Sequence, residues 1–205
     1  VGRLLNVVLG LGVMAYSVAW IFRHMRLRPP VPEEIFLGSD FVGSSHDNIL
    51  WDELAKLDKS VLAVLRSDRQ AEQYGALLEG QRHCSMDAGC YSIAGGLVAL
   101  WDTVRDVVKL SLKGNHLPNS MFRQLVTLPH HRIVYRALFN RFAFKNFWCR
   151  DDYNSDHHMR SLELRRAGSK SYGVMHGIPC ICAIIHQLRY LDFDVYYVAG
   201  TYQYD

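Results

Sequence analysis

Hydrophobic and polar positions follow three rhythms along this chain. Leu4 to Phe22 is an uncharged, almost wholly apolar run of 19 residues. A first strand ending in a turn follows at 34–40, and a continuous apolar run at 60–65 stops at Arg66-Ser67-Asp68. Such runs predict strands of a parallel sheet covered on both faces. Gln70 to Glu79 is predicted as a helix closed by Gly80. Between Ser92 and Lys113, Ile93, Leu97, Leu100, Trp101, Val104, Val107 and Val108 recur at helical spacing, with Gly114 as the stop. A further helix is predicted over Ile133–Arg141, with His130-His131 as a surface pair at its start behind Pro129. The last sixty residues read strand 143–149, helix 155–167 closed by Gly168, strand 170–175, helix 183–191, strand 193–199. That alternation implies an α/β fold, a Rossmann-like open parallel sheet flanked by helices with right-handed crossovers.

Composition narrows the function classes. The chain has 205 residues, 49% hydrophobic, 21% charged and 12% aromatic, which suits a packed globular domain and excludes a disordered tail. The net charge of +3 is unevenly placed. Residues 1–28 carry Arg3, Arg23, Arg26 and Arg28 and no acid, so the remaining body has a net charge of −1. A near-neutral body argues against nucleic-acid binding. The five cysteines (84, 90, 149, 180 and 182) form no Cys-x-x-Cys pair and read as reduced, mostly buried thiols.

The apolar amino-terminal run is long enough, at roughly 28 Å, to match the hydrocarbon core of a bilayer. A signal peptide or a buried core helix would share this pattern. The basic cluster Arg23–Arg28 replaces a small-residue cleavage site and would hold the following domain on the cytoplasmic side. The expectation is a transmembrane helix with basic flank at 1–28, a Pro-rich spacer at 29–32 and a Rossmann-like domain at 33–205, truncated at its carboxyl end. The location expected is the plasma or inner membrane, single-pass.

Chemistry in an open parallel sheet collects beyond the carboxyl ends of its strands. Three polar segments follow predicted strands there: Arg150-Asp151-Asp152-Tyr153-Asn154, His176-Gly177, and Gly200-Thr201-Tyr202. His176 is the candidate general base, because imidazole titrates near neutrality; the alternative is a histidine that hydrogen-bonds a neighbouring loop. Gly177 would let a ligand approach the backbone. Arg150 could clamp a phosphate or carboxylate, or pair with Asp151 or Asp152. No metal site is expected: Asp151 and Asp152 are contiguous, and His157 and His158 point about 100° apart on a helix. Cys84, Asp87 and Cys90 read as structural. The glycine-rich stretch 89–96 lacks the pattern of a phosphate loop.

Phe147-Trp148-Cys149-Arg150-Asp151-Asp152-Tyr153-Asn154 and Lys170-Ser171-Tyr172-Gly173-Val174-Met175-His176-Gly177-Ile178-Pro179 resemble the amino-terminal half of surface-polysaccharide glycosyltransferases of the two-Rossmann-domain (GT-B) type. The His-Gly-x-Pro element is similar to the His-Gly-Thr-Pro element of teichoic-acid glycerophosphotransferases, although Cys180 departs from that pattern. The resemblance covers residues 143–200, with a weaker echo at 33–45. It implies a catalytic His176, with Arg150, Asp151, Asp152, Tyr153, Asn154, Gly177 and Thr201 contacting substrate. It also implies a nucleotide-activated donor bound in a domain beyond Asp205 and a lipid-linked or saccharide acceptor, with no cofactor held by this half. Two other readings stand beside it: an α/β-hydrolase using His-Gly-x-Pro as an oxyanion turn, though Gly-x-Ser-x-Gly is absent from 1–205, and a non-enzymatic membrane-tethered interaction domain.

Overall fold

The computed structural model describes residues 2–40, 56, 59–113, 118–149, 156–174 and 192–197. Its centre is a six-stranded, wholly parallel sheet in the order β4-β3-β2-β6-β7-β8. The strands are β2 (Glu33–Asp40), β3 (Val61–Leu65), β4 (His83–Ser85), β6 (Phe142–Cys149), β7 (Lys170–Val174) and β8 (Val195–Tyr197). A separate parallel pair joins β1 (Met25–Arg26) to β5 (Tyr91–Ser92). Among the described residues five α-helices accompany the strands: α1 (Gly2–His24), α2 (Asp68–Gln73), α3 (Ile93–Lys113), α4 (Asn119–Arg141) and α5 (His157–Arg166). This is the α/β open sheet that the alternation implied. The strand order grows outward in both directions from β2 and β6, so the chain changes direction between those two neighbours.

β3 shows why the sheet is covered twice. Leu62 and Val64 join Ile35, Phe144 and the α4 residues Tyr135, Leu138 and Phe139 in one core cluster. Ala63 and Leu65 join Leu78, Ala71 and Tyr74, from α2 and the following turn, in another. Alternate side chains therefore serve opposite faces, and both are apolar. Ser67 caps α2 by accepting the Gln70 N–H at 3.3 Å. Both glycines predicted as helix stops within the described residues, Gly80 and Gly168, have positive φ (74° and 78°), where a side chain would be strained.

α4 is the middle of three layers, with the sheet on one side and α1 and α3 on the other. Trp20 and Ile21 of α1, Ala99 of α3, and Ile133, Val134 and Ala137 of α4 form the outer core. Every residue from Ile133 to Phe139 is consequently buried, as expected of a helix packed on all sides. This corrects the predicted helix start at Ile133. The helix begins at Asn119 and carries Pro129 in its interior, where the ring forfeits one backbone hydrogen bond. Packing on both flanks outweighs that loss.

The buried run contains Arg136, whose Nε and Nη2 donate to both carboxylate oxygens of Glu163 on α5 (3.0 and 2.9 Å). Its Nη1 donates to Asp102 on α3 at 3.0 Å. One turn earlier Arg132 donates to Glu163 (3.1 Å) and to Asp106 (2.6 Å), and Arg166 also donates to Glu163. Glu163 is only 1% exposed. Burial pushes its carboxyl pKa up, but the hydrogen bonds and charge of Arg136 and then Arg166 outweigh this and hold it below the ordinary range.

Breaking such a buried cluster strands unpaired charge. Glu163→Ala is expected to destabilise the fold by about 3–5 kcal/mol in urea unfolding. Adding Arg136→Met to that variant should restore part of the loss. A Glu163→Ala midpoint equal to wild type would contradict the role assigned to this carboxylate.

Candidate functional site

The carboxyl ends of β2, β3, β4, β6, β7 and β8 all lie along one edge of the sheet, because every pairing is parallel. β6, β7 and β8 are consecutive neighbours, with Cys149 opposite Gly173 and Val174 opposite Tyr197. The segments 150–154, 176–177 and 200–202 follow these three strand ends in sequence. Arg150, Asp151, Asp152, Tyr153, Asn154, His176, Gly177 and Thr201 themselves lie outside the described residues. So do the helix predicted at 183–191 and the stop predicted at Gly114.

A cavity of about 510 Å³ opens on the same edge. Arg66 enters it from the end of β3, Met86 and Asp87 from the turn after β4, and Asp156 from the connection between β6 and α5. His130, His131 and Tyr135 of α4 and Tyr16 and Trp20 of α1 complete the wall. A larger cavity, about 800 Å³, lies at the opposite edge between Pro32, Ala143 and Ala167. Ligands of open α/β sheets bind at the carboxyl edge, so the smaller cavity is the candidate.

Several polar groups in this cavity are held by neighbours. The Trp20 indole N–H donates to Asp87 at 3.3 Å, and the Tyr135 hydroxyl donates to Asp156 at 3.0 Å. Ser17 Oγ and His130 Nδ1 share a hydrogen bond at 3.2 Å. The His130 ring also packs against Tyr16, with centroids 4.7 Å apart. Burial, and secondarily the neighbouring His131, pushes the His130 pKa down to about 4. Burial likewise lowers His131, with Arg66 adding to the effect and Asp156 opposing it. Both imidazoles are thus neutral at pH 7. His131 Nδ1 is buried with no hydrogen-bond partner among the described residues, an arrangement that carries a cost unless something else satisfies it.

One guanidinium facing two carboxylates and two neutral imidazoles gives a lining poorly suited to a polyphosphate. Aromatic walls and hydrogen-bonding side chains instead suit a neutral, hydroxyl-bearing ligand. Sequence reading missed this site. The surface pair predicted at His130-His131 is corrected: both are half-buried, mid-helix and turned toward the sheet edge. Asp87, read as structural, is part of the same wall. The usable signal was positional, since Arg66 and Asp87 each follow a strand.

Next to the cavity, Asp40 at the end of β2 forms an ion pair with Arg160 of α5, which is buried. Burial alone would lower the Arg160 pKa; Asp40 more than offsets this and raises it. At the opposite, amino ends of the strands, Asp194 accepts from the Ser171 N–H (2.7 Å) and hydroxyl (2.9 Å), fastening β8 to β7. Asp192 pairs with both terminal nitrogens of Arg165 at 2.8 and 2.7 Å. His157 is buried and stacks on Phe193, while His158 is half-buried and turns toward Asp192. Among the described residues no group of three or more His, Cys, Asp or Glu side chains is arranged to hold a metal ion. Cys84, Cys90 and Cys149 are free thiols, and burial pushes the Cys84 pKa up to about 12.

The depressed His130 pKa has a consequence for stability. The folded protein binds this proton only near pH 4, whereas the imidazole of an unfolded chain takes it near the ordinary value of 6.5. Between those values the unfolded chain holds more protons, so acidification favours unfolding. The thermal midpoint should fall as pH drops from 7 toward 4, and His130→Asn should flatten that fall. A variant keeping the wild-type pH slope would contradict the assignment. Compared with known proteins, this chain matches no family model, no curated protein and no solved structure.

Proposed function

We propose that this chain is the acceptor-side, amino-terminal half of a membrane-attached glycosyltransferase of the GT-B type. It would act in cell-surface polysaccharide synthesis, transferring a sugar or polyol phosphate from a nucleotide-activated donor. The observation that supports this most is the adjacency of β6, β7 and β8. It gives the segments beginning at Arg150, after Val174 and after Tyr197 neighbouring points of departure on one edge. The cavity on that edge supports it further, because its lining suits an acceptor bearing hydroxyl groups.

In this reading His176 accepts the proton of the acceptor hydroxyl as its oxygen attacks the donor's activated carbon. For a sugar, the bond from that carbon to the nucleotide phosphate breaks and the nucleotide leaves with the electron pair. For a polyol phosphate, the oxygen instead attacks the donor's phosphorus and the phosphoanhydride bond to the nucleotide breaks, the nucleoside monophosphate leaving with the electron pair. Arg150 would supply the guanidinium that orients phosphate oxygens. Asp151, Asp152, Tyr153, Asn154, Gly177 and Thr201 form the remaining contacts with substrate. The donor is held by a second domain following residue 205. α1, the one described helix long and apolar enough to cross a membrane, attaches the domain to the membrane, with the basic cluster Arg23–Arg28 on the cytoplasmic side.

The test is His176→Ala in the full-length protein, assayed with a panel of nucleotide sugars. Transfer should fall by about 10²–10⁴-fold with the circular dichroism spectrum unchanged. Turnover close to wild type in a folded variant would overturn the proposed role.

A further inference from the structure

α1 is arranged inside out for a helix on a water-soluble domain. Its buried face carries Asn6, Gly10, Ser17 and His24 beside Trp20 and Ile21. Its outer face exposes Val7, Val8, Leu11, Ala15, Ala19 and Phe22; Val8 is 57% exposed and Leu11 54%. Water selects the opposite distribution. α3 lies antiparallel beside α1, since Gly10 meets Ser111 and Val107 while Met25 meets Gly96. α3 adds a second apolar stripe, Leu97, Trp101, Val108 and Leu112, with Trp101 68% and Leu112 71% exposed. Both helices rest on α4, so their outer faces point away from the sheet. An exposed apolar surface of this extent marks a membrane or protein contact.

Charge favours lipid. Arg23, Arg26 and Arg28 are exposed at the carboxyl end of α1, and no acid occurs in residues 1–28. Cations beside an apolar helix face fit an anionic headgroup layer, and an exposed indole fits the interface. Packing argues against a crossing. α1 is packed against α3 and α4, which carry the paired charges Asp102, Asp106, Arg132 and Arg136. Spanning would carry these charges to hydrocarbon depth, or strip α1 away and leave Asn6, Ser17 and His24 facing lipid.

Resting on the membrane-attachment reading above, we propose that α1 and α3 together form a lipid-facing surface. This surface lies in the interface of an anionic bilayer, and α1 does not cross it.

Two measurements on the full-length protein test this. The first is flotation with vesicles of equimolar phosphatidylglycerol and phosphatidylcholine. Trp101→Glu and Leu112→Glu, each at an exposed α3 position, should weaken binding about tenfold with the thermal midpoint unchanged. The second places an epitope tag ahead of Val1 in sealed vesicles whose outer surface bears the domain. Protease should remove the tag. A protected tag, with α3 variants that bind like wild type, overturns the in-plane arrangement and leaves membrane attachment standing. An accessible tag with unaffected α3 variants overturns the two-helix surface. Variants that float normally but lose self-association in sedimentation identify a second copy of the chain as the occupant and also overturn it. Wild type that never floats removes the attachment reading itself.

Discussion

A single buried carboxylate, Glu163, receives guanidinium groups from Arg132 and Arg136 of α4 and Arg166 of its own helix. The same two α4 arginines reach Asp102 and Asp106 on α3. Three helices separated in sequence are thereby fixed at one point, and their geometry is set by charge pairing, not by apolar contact alone. Desolvating this many charges is expensive, and only near-complete mutual pairing makes the arrangement tolerable. The register of α4 against α5 and α3 follows, because sliding any of them by one turn would separate the pairs. α1 has no charge in this cluster: Gly10 lets Ser111 approach, Trp20 and Ile21 fill the seam with α4, and hydrogen bonds between Ser17 and His130 and from Trp20 to Asp87 complete its attachment.

The carboxyl edge inherits its order from this helix layer. With Glu163 anchored, Arg160 one turn earlier on α5 is directed to Asp40 at the end of β2. β2 and β6 are the neighbours between which the strand order reverses, where open α/β sheets make their binding crevices. Tyr135, on the turn of α4 beside Arg136 and Arg132, holds Asp156 at the start of α5. The cavity wall and the helix cluster are therefore successive turns of the same helices. α1 takes part in both surfaces, giving Tyr16 and Trp20 to the cavity and its outer face to the surroundings. A cavity bordered by that helix lies beside the surface assigned to lipid, which suits an acceptor carried on a lipid.

Much of this architecture is visible in the residue pattern, and the exceptions have physical reasons. β2, β3, β6 and β7 are legible because their apolar runs are bounded by polar turns. α3 is legible because its apolar period is helical, although much of the stripe that reveals it faces outward. α4 hides its amino-terminal half because Pro129 reads as a boundary, although its ring lies inside the helix. β4, His83-Cys84-Ser85, is too short and polar to stand out. The cavity histidines were misplaced for the same reason as the helix start, since their position depends on where α4 begins. The neighbouring strand ends behind residues 149, 174 and 197 follow from the element order. The contributions of Arg66, Asp87 and Asp156 require the tertiary arrangement.

The most direct measurement is a crystal structure of the full-length protein with a nucleotide-sugar donor and a saccharide acceptor bound. The account predicts acceptor density at the carboxyl edge, against the His130–His131 face of the cavity, with its reacting hydroxyl within hydrogen-bond reach of His176. Acceptor bound at the opposite edge, beside Pro32 and Ala143, or His176 remote from either substrate, would contradict it.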